Sequence, residues 1–403
     1  MKVLILTNLF PIVSNPSSGI FITRRLKEYI NYNVSYDAFS LTYNNNFLSQ
    51  VIRKILKRQY NEPLREIDGV IYNNLKLNIW RRVFFRLGFL LKYEIIKKIF
   101  LELGFLNFSK EISQKINVKQ YDLIHAHGMY GDIPAGLVAS IIAKKYQKPY
   151  IVTLHGSDVN YNMPKNKEIL LKALEGASKC IFVSNGLLKK AKSLGYSGKN
   201  AVIIPNGYDP EIFKPTNKEK IRKELGIYKK EYKYVGFVGN LIPVKRADKL
   251  PEIFENISKN YDKVMFLIVG DGHLRGEVEK KLKENGVEYI FAGRVPQEKV
   301  SKWMNAMDVM VLPSRNEGWS CVVKEAQACG TCVVGSSNGG IPEAIGFKEC
   351  IVNEGEHFEE MFANKVVEIL KNGYDSEELI QRAKEFTWQK IVEKEINLYK
   401  SLF

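Results

Sequence analysis

Two glutamates, Glu317 and Glu325, stand eight residues apart on either side of the predicted start of a helix. The loop that carries Glu317 follows a short apolar run, and open α/β sheets bind ligands beyond the carboxyl ends of their strands. The N-terminus of a helix stabilises a phosphate, and carboxylates beside it can hold hydroxyl groups of the same ligand. The residues of this segment that we expect at the ligand are Gly318, Trp319, Ser320, Cys321 and Val322.

Three of the five histidines follow predicted strands in the first half of the chain. His125 and His127 are two residues apart after an apolar run, so their side chains point to the same side of a sheet. His155 and Asp158 follow the next run. We predict no metal site, because an HxH pair with a distant third histidine lacks a helical HExxH motif. For His125 alone, a buried histidine satisfied by the backbone is the simpler interpretation.

The elements that must position these residues follow from an alternation along the chain. Short apolar runs bounded by Gly, Pro or Asn alternate with longer segments of helical period, which is typical of parallel strands joined by crossover helices. This alternation of strands and helices is interrupted at residues 204–215, which are dense in Pro, Gly, Asn and Asp, and it resumes after them. The predicted strands are 3–6, 123–124, 150–154, 180–183, 201–204, 234–238, 264–269, 289–291, 309–312 and 331–334.

The segment 313–343 joins Glu317 and Glu325 to the sequences EAQACGT and GGIPE. This pattern resembles the nucleotide-sugar signature of glycosyltransferase family four, and the resemblance weakens only between about residues 40 and 120. It implies an α/β chain of the GT-B type, with two Rossmann-like doubly wound domains facing across a cleft. The implied domains are an acceptor domain, 1–208 with the returning helix 388–403, and a nucleotide-sugar domain, 209–387.

The resemblance also implies roles for single residues. Glu317 is similar to the residue that contacts the transferred hexose, and Glu325 to the one that holds the ribose hydroxyls. His127 is similar to a histidine that contacts the hexose near the reaction centre. The implied catalytic set is His127, Glu317 and Lys245. The implied donor-binding set is Gly19, Asn240, Lys245, Arg246, Arg294, Val295, Glu317, Gly318, Trp319, Ser320, Cys321, Val322 and Glu325. The implied acceptor side is Ser18, His155 and Asp158.

The diphosphate site departs from the family pattern, which is Gly-Arg-Leu followed by Lys-Gly. Lys245 matches the lysine, but Asn240 occupies the arginine position and carries no charge. Arg246 could supply the second cation. Since the chain has no Asp-x-Asp motif, we expect basic side chains and a helix dipole, without a metal or other cofactor, to neutralise the diphosphate of a nucleotide-sugar co-substrate.

The formal net charge of +16 is concentrated before residue 201, where 30 Lys+Arg face 13 Asp+Glu. A localised basic surface favours an anionic partner. Residues 78–108 mix aromatic and basic side chains, which suits a lipid headgroup boundary. Because Arg81, Lys92 and Lys98 do not share the side of Arg82, Arg86 and Lys97, two ordinary helices packed on a sheet remain the alternative.

Cysteine content and the N-terminus bear on the compartment. Five cysteines are an odd number, which fits a reduced cytosol, and Cys329 and Cys332 spell CxxC without a second such pair. The first apolar run is too short for a signal sequence, and no run reaches the roughly 18 residues of a membrane span. We expect a cytoplasmic protein, peripheral to the inner face of the membrane.

Together with these observations, the resemblance implies a retaining hexosyltransferase that uses a nucleotide diphosphate sugar and a lipid-linked or oligosaccharide acceptor in surface polysaccharide synthesis. Teichuronic-acid-type enzymes are the members it most resembles. A nucleotide-sugar epimerase with the same fold is an alternative, and Asn240 leaves open an inactive membrane-bound scaffold. A nucleic-acid binder is disfavoured, since the chain lacks a recognition helix or an aromatic-basic strand motif.

Overall fold

The computed structural model describes residues 1–16, 18–43, 47, 50–51, 54, 62–78, 94–129 and 133–403, with side chains omitted at 94–100. The chain forms two compact units. The first comprises Met1–Ile204 and Val392–Phe403, and the second comprises Pro205–Ile391. Each unit is built around its own sheet.

The described part of the first unit holds an eight-stranded sheet with the order β3-β4-β2-β1-β5-β6-β7-β8. Its strand pairs are parallel, except β3 with β4. The strands are β1 Lys2–Thr7, β2 Ser35–Tyr43, β3 Glu66–Ile67, β4 Val70–Leu77, β5 Leu123–His127, β6 Tyr150–Leu154, β7 Lys179–Phe182 and β8 Ala201–Ile203. The α-helices are α1 Ile20–Glu28, α2 Glu94–Lys115, α3 Ala135–Tyr146, α4 Lys167–Glu175 and α5 Asn185–Ser193.

The second unit holds a six-stranded parallel sheet with the order β11-β10-β9-β12-β13-β14. The strands are β9 Lys233–Val238, β10 Val264–Val269, β11 Tyr289–Gly293, β12 Val309–Leu312, β13 Cys332–Ser336 and β14 Ile351–Val352. The helices are α6 Lys218–Glu224, α7 Leu250–Asn260, α8 Arg275–Glu284, α9 Gln297–Ala306, α10 Cys321–Ala328, α11 Ile341–Ile345, α12 Phe358–Asn372 and α13 Ser376–Lys384. The last helix, α14 Trp388–Lys400, begins in the second unit and ends in the first.

Central strands are buried on both faces, as parallel sheets require. In β1 the residues from Val3 to Leu6 are fully buried, and β10 is buried along its whole length. These continuous apolar runs are the ones that the sequence predicts as strands. The prediction of two parallel-sheet α/β domains is therefore confirmed.

Four strands were not predicted from the sequence. Two of them, β3 and β14, are only two residues long, whereas β2 and β4 were missed because they carry polar residues inside the sheet. Ser40 and Thr42 are buried in β2, and the Thr42 hydroxyl bonds the Asn74 side chain of β4 at 2.5 Å. Near the start of β2, Asp37 accepts a hydrogen bond from Tyr121 at 2.6 Å. Hydrogen-bonded polar groups can be buried at little cost, so apolar periodicity alone misses such strands.

The two units divide after Ile204, four residues before the predicted boundary at Tyr208. Tyr208 belongs to the second unit because its N–H donates to the Phe386 carbonyl and its carbonyl accepts from the Trp388 N–H, both at 3.0 Å. The same contacts place the first turn of α14 in the second unit.

The basic stretch 78–108 is described only in part. The side chains of Arg81, Arg82, Arg86, Lys92, Lys97 and Lys98 lie outside the described residues. From residue 101 onward α2 is an ordinary packed helix, since Leu101, Phe105, Phe108 and Ile112 are buried at helical spacing. Among the helices that the structure describes, none combines the length and apolarity that a membrane crossing demands.

Candidate functional site

In the first unit, the sheet register places the predicted histidines side by side at the carboxyl ends of β5 and β6. His127 pairs in register with Thr7 of β1 and Thr153 of β6. The His127 Nδ1 and His155 Nε2 atoms are 3.2 Å apart. The His127 Nε2 and His155 Nδ1 atoms are buried, and neither has a hydrogen-bond partner in the described structure.

Burial keeps both imidazoles neutral. Desolvation lowers the pKa of His127 well below its usual value, and the neighbouring His125 and His155 lower it further. Desolvation, with Arg25 second, likewise lowers the pKa of His155. A neutral imidazole presents one donor and one acceptor nitrogen, so each ring has one hydrogen-bonding atom left to offer a ligand.

His125 is completely buried, but side chains satisfy it where the sequence favoured the backbone. Its Nε2 atom lies 2.7 Å from the Thr153 hydroxyl, and its Nδ1 atom bonds the Tyr399 hydroxyl of α14. Desolvation lowers the pKa of His125 to about 4, outweighing the opposite influence of Glu395. His125 is therefore part of a polar network inside the core.

That network is centred on a buried ion pair between Arg25 of α1 and Glu395 of α14, both with fully buried side chains. Glu395 also accepts hydrogen bonds from the hydroxyls of Tyr29 and, at 3.1 Å, Tyr399. Although burial raises the pKa of Glu395, Arg25 and its other partners hold it below the usual value, so the carboxylate stays charged.

Asp158, predicted on the acceptor side, is almost completely buried and serves the backbone. Its carboxylate accepts the N–H groups of Met129 at 2.7 Å and His155 at 3.1 Å. It therefore joins the segments that follow β5 and β6. Gly19 and Ser18 lie just before α1, and Gly19 has a left-handed φ of 63° with Leu9 so close that a Cβ would lie 2.7 Å from its carbonyl carbon.

In the second unit, the predicted loop-helix segment forms at the carboxyl end of β12. Glu317 lies in the loop, and Lys245, from the loop after β9, forms an ion pair with its carboxylate. Both side chains are partly exposed, at 24% for Lys245 and 11% for Glu317. Helix α10 begins at Cys321, four residues after Glu317. The structure thus brings two of the three predicted catalytic residues into direct contact.

The two loops are held together by a second ion pair and by backbone bonds. Arg315 binds both oxygens of Asp248 at 2.7 Å, and its N–H donates to the Val244 carbonyl at 2.8 Å. Gly339 of the GGIPE sequence approaches the Glu317 carbonyl so closely that a Cβ would lie 2.2 Å from it, and its φ is +57°. Glycine is therefore required there to seat the Glu317 loop.

Arg246 lies beside the pair but its charge is already engaged. Its Nη2 atom binds both oxygens of Glu354 at 2.8 and 2.9 Å, and its guanidinium stacks 4.0 Å from the centre of the Phe358 ring. Its backbone has a φ of +54°, which explains the glycine of the family pattern at this position. Asn240 is exposed on the same loop.

Glu325 lies on α10, with its Oε1 atom 3.5 Å from the Gln297 amide at the start of α9. Arg294 and Val295 fall between β11 and α9, so they reach the same side of the sheet. Trp319 packs on Phe386 with 5.4 Å between ring centres, and its indole N–H is buried without a hydrogen-bond partner in the described structure. Trp319 is therefore part of the wall beneath the loop.

Two family models match the chain, Glycosyltransferase Family 4 over residues 86–212 and Glycosyl transferases group 1 over residues 217–386. The chain is a glycosyltransferase similar to those of family 4. TuaC of Bacillus subtilis, named for teichuronic acid biosynthesis, is 34% identical over 230 residues, 56% of this chain. That match covers 55% of TuaC, about half its length.

Other known proteins align over more of the chain. The N-acetyl-alpha-D-glucosaminyl L-malate synthase of Bacillus anthracis is 24% identical over 88% of this chain and 93% of its own. The crystal structure of HepE from Anabaena in complex with UDP superposes with a TM-score of 0.71 at 16% identity, over all of both chains. A further HepE structure contains UDP-glucose, with a TM-score of 0.66 at 18% identity over all of both chains. These likenesses confirm the GT-B fold.

For this glycosyltransferase, the loops at the strand ends could be predicted from the sequence, but the groups buried behind them were missed. Glu395 could have been identified from the sequence, because it interrupts the apolar stripe that Ile391, Ile396 and Tyr399 form in α14. Lys324 is fully buried next to Glu325 and carried no signal beyond its unusual place on the buried face of α10. Its Nζ atom lies 2.8 Å from the side-chain oxygen of Gln327 and 4.2 Å from the centre of the Phe386 ring.

The CxxC pattern does not bring its two cysteines together. Cys332 lies 3.6 Å from the sulfur of Cys350, a residue outside the motif, and all five cysteines are free thiols. The pairing follows from the sheet, because Cys332 starts β13 and Cys350 directly precedes the neighbouring β14.

Proposed function

We propose that this chain transfers a hexose from a nucleotide diphosphate sugar to a hydroxyl of a lipid-linked or oligosaccharide acceptor, with retention of configuration. The observation that carries the proposal is the Lys245–Glu317 pair beside the N-terminus of α10. A cation and a helix N-terminus suit the diphosphate, and a carboxylate suits the sugar hydroxyls. HepE, which shares the fold, has been crystallised with UDP-glucose.

Donor binding would then break the ion pair between Lys245 and Glu317 and replace it with contacts to the donor. The Lys245 ammonium is partly exposed, so it can turn to a diphosphate oxygen while Glu317 turns to the hydroxyls of the hexose. Glu325 would hold the ribose hydroxyls, and the backbone at Arg294 and Val295 would contact the base. Arg246 would act at a distance, since Glu354 already holds its guanidinium. The second cation at the diphosphate is therefore replaced by the N–H groups of α10.

The chemical step needs no nucleophile from the protein. The acceptor oxygen forms a bond to the anomeric carbon as the bond from that carbon to the diphosphate oxygen breaks, and the departing oxygen takes the acceptor proton. His127 would hydrogen-bond a hexose hydroxyl through its unpartnered Nε2 atom. Preorganised dipoles and cations stabilise the charge that develops on the leaving group, so we propose catalysis without a metal or other cofactor.

The acceptor would be presented at an anionic membrane surface on the cytoplasmic side, in the synthesis of a surface polysaccharide. The basic excess of the first half of the chain and the relation to TuaC support this. Vesicles containing anionic lipid should bind the protein in low salt and release it as salt rises. Changing Arg81, Arg82 and Arg86 to Ser should weaken binding, and unaltered binding would refute the membrane partner.

A thermal-shift screen against UDP-, GDP- and ADP-sugars in EDTA tests the donor site. We expect one nucleotide sugar to raise the melting temperature of the wild type, and Glu317→Gln to reduce that rise. Glu284→Gln is the matched control, because Glu284 also pairs with a lysine, Lys280, but lies on α8. No stabilisation by any nucleotide sugar would refute the proposal. Release of a free epimer without transfer would favour an epimerase.

A further inference from the structure

A continuous chain of hydrogen bonds runs through the first unit from α14 to the histidine next to His127. It starts at Glu395, whose carboxylate accepts bonds from Arg25, Tyr29 and Tyr399. It continues from the Tyr399 hydroxyl to His125 and from His125 to the Thr153 hydroxyl. Every side chain on this path is fully buried.

The charge on Glu395 orders the protons along the chain. A carboxylate only accepts, and Tyr29 donates its proton to Glu395, so the single proton of Tyr399 goes either to Oε1 of Glu395 at 3.1 Å or to the Tyr29 hydroxyl at 2.6 Å. The Tyr399 oxygen then accepts from the Nδ1–H group of His125. With Nδ1 protonated, the neutral ring leaves Nε2 as an acceptor for the Thr153 hydroxyl at 2.7 Å. In the opposite order Tyr399 would donate to His125, and its oxygen would then face both the Tyr29 oxygen and Glu395 without a proton between them.

His127 is held between His125 and a second ring. The centres of the His125 and His127 rings are 4.2 Å apart, and those of His127 and His155 are 5.5 Å apart. Phe21 covers the outer histidine, with 4.6 Å between its ring centre and that of His155. In this packed row a rotation or tautomer change of His125 would displace His127.

We infer that Glu395 and Tyr399 are positioning residues, which fix the Nδ1–H tautomer of His125 and thereby hold His127 with its Nε2 atom toward the transferred sugar. This rests on the proposed function for the role of His127, whereas the tautomer assignment rests on the network alone. The C-terminal helix thus supplies an orienting carboxylate to a histidine pair that lies more than 260 residues earlier in the sequence.

Two tyrosines provide a matched test. Tyr399 and Tyr29 are both fully buried, both hydroxyls lie against Glu395 and they are 2.6 Å apart, but only Tyr399 touches His125. In Tyr29→Phe, Tyr399 can still donate to Glu395, so the proton order at His125 should be kept. Tyr399→Phe should lower kcat for transfer about tenfold with little change in the donor KM, as orienting partners of functional histidines do. Tyr29→Phe should change kcat less than about threefold, even if it destabilises the fold as much. Equal kcat values in the two variants would overturn the inference.

Nitrogen-15 NMR of the histidine side chains reads the tautomer without any substrate. The wild type and Tyr29→Phe should show His125 protonated on Nδ1. Tyr399→Phe should show it protonated on Nε2, where it donates to Thr153. An unchanged tautomer in Tyr399→Phe would overturn the inference. If the wild type used no nucleotide sugar, the proposed function would fail, and this spectrum would still decide the role of Tyr399 toward His125.

Discussion

The two units of this glycosyltransferase differ in how far their ion pairs are exposed to water. In the second unit, Lys245 and Glu317 pair where water reaches both side chains. In the first unit, the charged pair of Arg25 and Glu395 is completely buried, and the histidines nearer the strand ends are neutral. Exposed pairs exchange partners readily, whereas a buried pair is costly to break. The second unit is thus suited to capture an anion, and the first to hold neutral hydrogen-bonding groups in place.

The largest effect should come from breaking the buried pair. Arg25→Met leaves the Glu395 carboxylate buried without its cation, so we expect a loss of about 3–5 kcal/mol in the free energy of unfolding. Urea-dependent hydrogen exchange of the amides in β5 and β6 measures it. The double variant Arg25→Met with Glu395→Leu should recover part of the loss. If Arg25→Met alone changed the free energy of unfolding by less than about 1 kcal/mol, the buried pair would not be costly to break and would not differ from the exposed pair in this respect.

Loss of Lys245 tests the exposed pair. Lys245→Ala should reduce kcat/KM for sugar transfer roughly 100-fold, since it removes a preorganised cation from the leaving diphosphate, while the fold changes little. The control is Lys249→Ala, because Lys249 is also ion-paired with a glutamate but lies one turn further along. A similar loss in both variants, or in neither, would contradict the assignment of Lys245.

Lys324 makes the stability of the second unit depend on pH. Desolvation, aided by Arg382, lowers its pKa to about 6, so the native state releases the proton that the unfolded chain holds up to its normal pKa near 10.5. Stability should therefore rise with pH between about 6 and 10. Lys324→Met should flatten that slope and raise the stability at pH 7 by roughly 2 kcal/mol. A melting temperature of wild type that is level across this range would contradict the buried neutral amine.

The smallest effect should come from the partly exposed bidentate pair. Arg315→Gln separates the loop of Glu317 from Asp248, and exposed pairs contribute only about 0.2–1 kcal/mol. Its effect on the melting temperature should shrink as salt rises. A change of several kcal/mol that salt did not alter would show that this pair behaves like the buried one.

More of the candidate site could be predicted from the sequence in the second unit than in the first, for a physical reason. Its functional groups lie in loops next to continuous apolar strands, so Lys245 and Glu317 stand in a local pattern that the chain itself displays. The partners of His125 are Thr153 and Tyr399, which come from distant segments and meet only when β6 and α14 are assembled. The engagement of Arg246 by Glu354 was hidden in the same way. The polar strands β2 and β4 were missed because their hydrogen-bond partners are also supplied by the sheet.

A crystal structure with a bound nucleotide diphosphate sugar would show directly whether the donor occupies the site of Lys245 and Glu317. We expect the diphosphate at the N-terminus of α10 within hydrogen-bond reach of Lys245, with the Glu317 carboxylate on the hexose. A donor bound elsewhere, with the Lys245–Glu317 pair intact, would contradict it.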